Sequence, residues 1–400
     1  MSSIYVIGTL DTKSDELTYA CERIRAADTG VVLVDVGTRT ASAGADVAAA
    51  EVAAHHPDGA DAVLKAGDRG AAVAAMGTAL ARFLSGRADI AGVLGLGGTG
   101  NTALVTQGMR ALPVGMPKVM VSTVASGNTA PYVGPNDITM MYSVVDVAGL
   151  NPISRRIIEN AAHAVTGMVA HHQPDATSTR PAVGLTMFGV TTDCVNQVRK
   201  ALEASCDTYV FHATGVGGQT MEKLLESGLI GSIVDTTTTE VADLLVGGVF
   251  AATEDRFGAM IRGGRPYVGS VGAVDMVNFG APETVPSAFR SRNLFAHNPQ
   301  VTLMRTTPDE NSRIGQFIVE RLNQMQGPVR FLLPLGGVSA IDAPGQPFHD
   351  PDADAALFDA IRHGWQNAPN RQLIECNAHI NDPAFADALV ANHSEITVRA

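Results

Sequence analysis

The segment at residues 90–102 constrains the fold of this chain more than any other. Its first six residues are apolar or glycine, with the length and composition of a buried strand, and a glycine-rich turn at residues 96–100 follows directly. Glycines let the backbone approach a ligand closely, and the amino terminus of the following helix favours an anion. The segment therefore predicts a strand, an anion-binding turn and a helix. The alternative is a core strand with a tight turn that binds nothing.

Short apolar runs alternate with helical patterns along the whole chain, which is typical of an α/β protein. In the first half, strands are predicted at residues 4–8, 31–36, 90–96 and 118–123, and helices at 14–26, 69–85, from 101 and at 152–170. In the second half, strands are predicted at residues 209–212, 232–235, 267–271, 302–305, 330–335 and 373–377, and a helix at 221–226. A shift of 178 residues lays the start of the second half on the start of the first in a weak but ordered match.

The length of the chain predicts two domains. Four hundred residues exceed what one hydrophobic core usually supports, and 46% hydrophobic residues are enough for two cores. Residues 171–181 have the composition of a turn and no periodicity. We therefore predict an amino-terminal domain at residues 1–178 and a carboxy-terminal domain at residues 179–400.

The charge and the cysteines exclude several classes of protein. The net charge of −12 argues against a general affinity for nucleic acid or for an anionic membrane, because either would need a basic face. The four cysteines lie far apart and match no zinc or redox spacing, which fits buried thiols in a reducing compartment. The sequence begins without the pattern of a signal peptide and offers no apolar membrane span. We expect a cytoplasmic protein that binds neither nucleic acid nor membrane.

A polar loop follows the first predicted strand. It contains Thr9, Asp11, Thr12 and Lys13, and a Lys-Ser pair opens the next helix as in a P-loop. The P-loop itself is not predicted, because Thr12 stands where that motif requires glycine. The hydroxyls and Lys13 are nevertheless candidates to contact phosphate, with Asp11 holding Mg²⁺. The alternative is a capped helix whose lysine is solvated.

Two further loops are predicted at the same edge of the first sheet, because loops after successive parallel strands emerge together. Residues 95–100 formally satisfy G-x-G-x-x-G, but no acidic residue follows at the distance that a dinucleotide ribose requires, so a dehydrogenase is disfavoured. We therefore predict a nucleotide site. Its residues are Thr9, Asp11, Thr12, Lys13, Gly97, Gly98, Thr99, Gly100, Asn101, Ser122, Thr123, Ser126 and Gly127.

The second half carries its own glycine turn and a run of four threonines after a predicted strand. The predicted second pocket consists of Gly215, Gly217, Gly218, Thr236, Thr237, Gly336, Gly337 and His379. The candidate catalytic residues are His212, Glu240 and Asp275. Such a pocket would take a small anionic metabolite. The alternative is that the threonines cap helices and the histidines are hydrogen-bonded structural residues.

Several separated motifs together resemble one known family. In the first half they are residues 8–13, 97–102, 121–127 and 146–151, which read GTLDTK, GGTGNT, VSTVASG and DVAGLN. In the second half they are residues 215–218, 335–339 and 377–381, which read GVGG, LGGVS and NAHIN. These motifs resemble the ATP-binding family that includes the tomato mosaic virus resistance protein and many uncharacterised bacterial proteins. The resemblance spans nearly the whole chain.

The resemblance implies two Rossmann-like three-layer domains with mainly parallel sheets. It implies ATP and Mg²⁺ on the first domain and self-association as a dimer or a higher oligomer. In some relatives the unit is fused to a TIM-barrel domain, which makes a separate TIM-barrel protein a candidate partner. No reaction is implied. We expect the nucleotide-using part of an enzyme that acts on a carboxylate or sugar acid; the alternative is a non-catalytic regulatory or protein-interaction module whose ATP stabilises its conformation or oligomer.

Overall fold

The computed structural model describes residues 2–39, 44–172 and 179–398. The chain divides into two compact units, Met1–Ala176 and Thr177–Ala400. The domain boundary predicted after residue 178 falls at residues 173–178, which lie outside the described part of the chain.

The first unit contains a five-stranded parallel sheet of order β2-β1-β3-β4-β5. Its strands are β1 (Ser3–Gly8), β2 (Val31–Asp35), β3 (Ile90–Gly97), β4 (Lys118–Ser122) and β5 (Thr139–Tyr142). Its helices are α1 (Leu10–Arg25), α2 (Ala49–Ala53), α3 (Asp61–Leu64), α4 (Arg69–Ser85), α5 (Thr99–Arg110), α6 (Ala130–Val133) and α7 (Pro152–Ala170).

Helices cover both faces of this sheet, because β1 is apolar on both sides. Tyr5 and Ile7 pack with α4 and α5 on one face, whereas Ile4 and Val6 pack with α1 and α7 on the other. Successive side chains of a strand point to opposite faces, and each such large side chain contributes about 1.5–3 kcal/mol when it is fully buried. The result is a three-layer arrangement.

The second unit contains a six-stranded parallel sheet of order β14-β13-β9-β8-β6-β7. The sheet strands are β6 (Ala182–Met187), β7 (Asp207–His212), β8 (Ser232–Thr237), β9 (Tyr267–Gly272), β13 (Val329–Pro334) and β14 (Arg371–Cys376). The helices are α8 (Thr192–Leu202), α9 (Val216–Glu226), α10 (Thr239–Val246), α11 (Gly258–Gly263), α12 (Pro308–Leu322), α13 (Pro351–Gly364) and α14 (Pro383–Val398). In chain order, its first five sheet strands follow the same 2-1-3-4-5 arrangement as the first unit.

A small antiparallel sheet is inserted between β9 and β13. It consists of β10 (Met276–Phe279), β11 (Leu294–Asn298) and β12 (Val301–Arg305), in the order β10-β12-β11. The strand predicted at residues 302–305 therefore pairs in this small sheet and not in the parallel one. The sequence pattern did not predict β10 and β11, because short strands carry little periodic signal on their own.

The predicted α/β class with two Rossmann-like, mainly parallel sheets is confirmed. The first helix begins earlier than predicted, at Leu10 instead of Ser14, and its backbone departs from helical geometry at Lys13, where φ is −136° and ψ is 23°. Each of the four cysteines is a free thiol. Within the described ranges, no helix is long and apolar enough to span a membrane.

Candidate functional site

A pocket of about 350 Å³ lies at the carboxyl ends of β1 and β3. The helices that follow these adjacent strands, α1 and α5, pack on opposite faces of the sheet. The two connecting loops therefore diverge and leave a crevice, which is the usual ligand position in an open α/β sheet. We call this pocket the amino-terminal crevice. Its lining residues are Thr9, Asp11, Thr12, Lys13, Val36, Thr38, Arg39, Arg69, Val73, Gly98, Thr99, Gly100, Asn101, Leu104 and Asp146.

Most of the predicted nucleotide residues on two of the three loops line this crevice. From the loop after β1 these are Thr9, Asp11, Thr12 and Lys13, and from the turn after β3 they are Gly98, Thr99, Gly100 and Asn101. Gly97 has an internal role, because a Cβ there would lie 2.6 Å from the Cβ of Asn101.

Two glycines of the crevice are not required by the backbone conformation or by the internal packing of the described protein. Gly98 has φ −82°, which any residue adopts, and a Cβ there would meet only Thr123 Oγ1, at 3.8 Å, among the described atoms. A Cβ on Gly100 would meet no described atom within 4 Å. Neither backbone conformation nor internal packing requires glycine at these positions. A side chain there would instead occupy space in front of the turn, where a ligand can approach the backbone.

The beginnings of α1 and α5 both face the crevice. The first turn of a helix leaves backbone N–H groups without partners in the helix. The N-cap residues are Thr9 for α1 and Gly98 for α5. Among the described residues, neither helix has a side-chain capping hydrogen bond at this position. Thr9 Oγ1 instead lies 2.9 Å from Thr12 Oγ1. At α1 the Leu10 N–H is bonded to Asp35, and the N–H groups of Thr12 and Lys13 are bonded to the Thr9 carbonyl oxygen. Backbone donors for an anion therefore come chiefly from the start of α5, while both helix ends present a positive dipole end.

One carboxylate oxygen of Asp11, Oδ1, is buried without a hydrogen-bond partner among the described residues. A buried, unpaired carboxylate oxygen is costly, and a cation or a donor group on a ligand would relieve that cost. Nowhere in the described ranges do three or more His, Cys, Asp or Glu side chains group to hold a metal ion. The arrangement fits Mg²⁺ held by one carboxylate together with phosphate oxygens.

Three charged residues that line the crevice were not predicted from the sequence as site residues. Arg39 follows β2, Arg69 begins α4, and Asp146 lies between β5 and α7. Within the described ranges, neither guanidinium group makes a hydrogen bond or an ion pair. With Lys13 they give the crevice three cationic side chains against two carboxylates. The motif DVAGLN at residues 146–151 was the one sequence signal that pointed to Asp146.

The loop that carries Asp146 is fastened to α1. The Lys13 Nζ atom donates to the backbone oxygen of Val147, and Glu16 Oε1 accepts a hydrogen bond from the N–H of Gly149 at 2.7 Å. These contacts bring a distant segment to the edge of the crevice.

The third predicted loop contributes differently. Ser122 is buried, and its Oγ lies 2.6 Å from Thr102 Oγ1 and accepts from the Val124 N–H at 3.1 Å. Ser122 thus ties its loop to α5. Neither Thr123, Ser126 nor Gly127 is among the described residues that line the crevice. Their contact with a nucleotide stays a prediction.

In the second unit, internal packing explains the glycine turn. Gly215 has φ +75°, and a Cβ there would overlap the backbone oxygen of Ala251. A Cβ on Gly217 would overlap the His212 carbonyl oxygen, and one on Gly218 would overlap Glu240 Oε1. These glycines permit close approach of the protein to itself.

Among the other members of the predicted second pocket, Gly336 and Gly337 lie against His379, because a Cβ on Gly336 would lie 2.7 Å from the His379 backbone nitrogen and one on Gly337 would lie 2.8 Å from its ring. Gly336 and Gly337 line a pocket of about 440 Å³ together with His349 and Asp354. His379 is fixed by hydrogen bonds, since its Nε2 lies 2.9 Å from the Ser339 carbonyl oxygen and its Nδ1 accepts from a backbone N–H. Thr237 Oγ1 lies 2.8 Å from Thr191 Oγ1, whereas Thr236 Oγ1 is buried without a described partner.

Glu240, one of the predicted catalytic residues, belongs to a buried ionic cluster. Arg256 donates to Glu240 at 2.5 Å, to Glu222 at 2.9 Å and to Asp235 at 2.7 Å, and all four side chains are buried. Burial raises the pKa of Glu240, and the Arg256 guanidinium opposes that rise. Burial alone would lower the pKa of Arg256, but the surrounding carboxylates raise it well above its ordinary value. This geometry favours a structural role for Glu240.

Asp275 and His212 lie in different surroundings. Asp275 is buried, its Oδ2 accepts from Ser339 Oγ at 2.8 Å, and its Oδ1 has no described partner. Burial raises the pKa of Asp275 to about 7, and nearby Arg305 opposes the rise. His212 is exposed and stacks on Phe188, with 5.2 Å between ring centroids. A catalytic role for either residue stays a prediction.

Comparison with known proteins identifies relatives over the full length of both units. Residues 2–174 match the N-terminal domain of an uncharacterised protein family (UPF0261), and residues 180–397 match its C-terminal domain. A UPF0261 protein of Rhizobium meliloti is 56% identical over 396 residues and is covered over 99% of both chains. A UPF0261 protein of Clostridium tetani is 45% identical, with 96% of both chains covered.

The ToMV resistance protein Tm-1 of Solanum lycopersicum is 43% identical over 422 residues, which cover 99% of this chain and 56% of the tomato protein. The resemblance predicted from the motifs is thereby confirmed. The tomato ToMV susceptible protein tm-1 is also 43% identical. Sequence identity to this chain therefore does not distinguish the resistance protein from the susceptible one.

Replacing Arg256 by methionine should strongly destabilise the second unit. The variant leaves three buried carboxylates without their cation, and we expect the free energy of unfolding to fall by about 3–5 kcal/mol. Urea denaturation of the full chain measures this change. The matched control is Arg262→Met, because Arg262 forms exposed ion pairs with Glu226 and Asp255, and its loss should cost less than about 1 kcal/mol. Equal urea midpoints for the two variants would contradict the structural role of the cluster.

Proposed function

This chain belongs to the uncharacterised protein family UPF0261, and from that membership and the geometry of its amino-terminal crevice we propose that it binds ATP with Mg²⁺ there. We further propose that it is the cytoplasmic, nucleotide-using part of an enzyme that acts on a small carboxylate or sugar acid. It would work as a dimer or a higher oligomer, with a separate TIM-barrel protein as a candidate partner.

The observation that carries the proposal is the pair of glycines Gly98 and Gly100. Both stand at the amino end of α5, and the described protein requires glycine at neither position. A missing Cβ at such a turn lets a phosphate approach the backbone amides closely. The crevice thus fits a phosphate chain by its shape as well as by its donors.

The side chains of the crevice supply the charge that a triphosphate needs. Lys13, Arg39 and Arg69 would contact phosphate oxygens, and the guanidinium groups suit phosphate particularly well. Asp11 would hold the magnesium ion, with Asp146 as a second carboxylate at the same crevice. Bound Mg²⁺ would neutralise charge on the phosphates and polarise the phosphoryl group for transfer.

Asp35 argues against a nicotinamide dinucleotide at this site. It ends β2, where a carboxylate binds the ribose in dinucleotide folds. Here the Asp35 side chain is buried, and its Oδ1 accepts from the N–H groups of Leu10 at 3.0 Å and Gly37 at 2.8 Å. It is committed to holding two loops together, which supports ATP over NAD.

A second candidate function is a non-catalytic regulatory or interaction module whose ATP stabilises its conformation or oligomer. One observation favours it: Glu240 is enclosed by Arg256 in the buried cluster and leaves no acid for substrate at that position. Incubation of the full chain with MgATP and a panel of carboxylates and sugar acids separates the two functions. Metabolite-dependent formation of ADP supports the enzyme, and tight ATP binding without turnover on any panel member supports the module.

Gly98→Val should abolish tight ATP binding without disturbing the fold. The valine side chain would occupy the space in front of the turn, and we expect at least a 30-fold loss of affinity, about 2 kcal/mol. Calorimetric titration of ATP into the folded variant measures it. Gly167→Val is the matched control, because a Cβ there also meets no described atom within 4 Å but lies on α7 outside the crevice. Unchanged ATP affinity in Gly98→Val, or micromolar NAD binding in a wild-type chain that does not bind ATP, would refute the assignment.

Asp11→Asn should reduce the part of ATP affinity that depends on magnesium. The amide keeps the size of the side chain but removes the charge that would hold the ion. Titrations with Mg²⁺ and with EDTA should differ much less in the variant than in the wild-type chain. Asp15→Asn provides the control, since Asp15 is an exposed residue of α1 outside the described lining of the crevice. An unchanged magnesium effect in Asp11→Asn, or a tightly bound zinc ion that survives chelation, would count against this site.

A further inference from the structure

The second unit has a cavity at the amino ends of its strands, opposite to the edge at which ligands usually bind. It measures about 450 Å³ and lies where β6 and β8 begin, just before β9. The end of α8 and the last turns of α14 complete its wall. This volume falls in the range of small-molecule sites. Neither the sequence motifs nor the proposed ATP site involves this cavity, which we call the amino-edge cavity.

A buried histidine lies in the wall of the amino-edge cavity. His393 is 2% exposed, and its Nε2 lies 2.8 Å from the hydroxyl oxygen of Ser232, which is also buried. Burial lowers the pKa of His393 to about 4, so the ring is neutral at pH 7. The tautomer that accepts the Ser232 proton on Nε2 carries its own proton on Nδ1. For Nδ1, no partner exists among the residues that the structure describes, so in this tautomer it is a donor for a ligand.

A single unpaired cation accompanies this histidine. Arg265 lines the cavity, and in the described part of the chain its guanidinium takes part in no hydrogen bond or ion pair. Among the described lining residues there is no Asp or Glu. The cavity is therefore electrostatically suited to one negative charge. A dianion would leave a charge uncompensated beside apolar groups.

The rest of the wall is largely apolar. Pro181, Leu202, Cys206 and Pro266 present hydrocarbon or sulfur to the cavity. A ligand that fills this space therefore needs an apolar body as well as its charged group. Guanidinium groups bind carboxylates with two parallel hydrogen bonds, which fits a planar monoanion.

We propose that the amino-edge cavity binds a small monocarboxylate with an apolar body. The carboxylate pairs with Arg265 and accepts a hydrogen bond from His393, while the apolar body packs against Leu202 and the prolines. The amino-edge cavity belongs to the second unit and shares no described lining residue with the amino-terminal crevice, so the proposal does not rest on ATP binding.

The test is calorimetric titration of the full chain at pH 7 with butanoate, hexanoate and octanoate, alongside hexan-1-ol and hexylamine. We expect the affinity of the carboxylates to rise about fourfold per methylene until the cavity is filled. The alcohol and the amine should bind at least tenfold more weakly than hexanoate. Equal affinities for hexanoate and hexan-1-ol, or no detectable binding of any carboxylate at millimolar concentration, would overturn the proposal.

Two variants locate the binding. Arg265→Met should weaken the binding of hexanoate at least tenfold and leave the affinity for hexan-1-ol unchanged. Arg199→Met, on α8 outside the described lining, should change neither affinity.

Gly231→Val is designed to fill the cavity, because a Cβ there would meet only the Ala182 carbonyl oxygen, at 3.7 Å, among the described atoms. It should retain the fold, checked by circular dichroism, and lose hexanoate binding. Wild-type hexanoate affinity in both Arg265→Met and Gly231→Val would show that the ligand binds elsewhere.

Discussion

The carboxylate of Asp35 holds the amino-terminal crevice in shape. One of its oxygens accepts hydrogen bonds from the first residue of α1 and from Gly37 in the loop after β2. Hydrogen bonds to a charged acceptor contribute about 1.5–3 kcal/mol each, and their loss would leave buried amides unpaired. These two hydrogen bonds hold the start of α1 next to the loop that carries Thr38 and Arg39. Without them, two walls of the crevice would no longer have a fixed separation.

Much of this crevice could be predicted from the sequence because its main residues follow strands directly. Parallel strands end at one edge, so the loops of Thr9 and Gly98 were predicted at the same edge, and the observed pairing of β1 with β3 makes them neighbours. Arg69 and Asp146 could not be placed in the same way. Arg69 begins a helix far along the chain, and Asp146 reaches the crevice through the bonds that α1 makes with its loop. Their positions depend on tertiary contacts that no local pattern encodes.

The second unit shows the limit of glycine patterns most clearly. The turns at Gly98 and at Gly217 look alike in sequence, each following a strand and opening a helix. At Gly98, the space that a Cβ would occupy is open. At Gly217, the same space is filled by the carbonyl oxygen of His212. Likewise, Glu240 follows a polar run that is typical of active sites, yet its partner Arg256 arrives from a loop sixteen positions later. A sequence does not reveal whether a ligand or the protein fills such a space.

The shared 2-1-3-4-5 strand order of the two units has an evolutionary consequence. If both descend from one ancestral unit, their glycine turns stand at different strands, because Gly98 follows the third strand of its sheet in chain order and Gly217 follows the second. Natural selection would act on these two turns by different routes. We expect a substitution at Gly98 to leave the fold intact, so selection would remove it only if the proposed ligand matters to the organism. A substitution at Gly217 would disrupt the packing of the protein, so selection would remove it whatever ligand the protein binds. The first turn would therefore be free to diverge if its proposed ligand changed, whereas the second must persist in any descendant that keeps this packing.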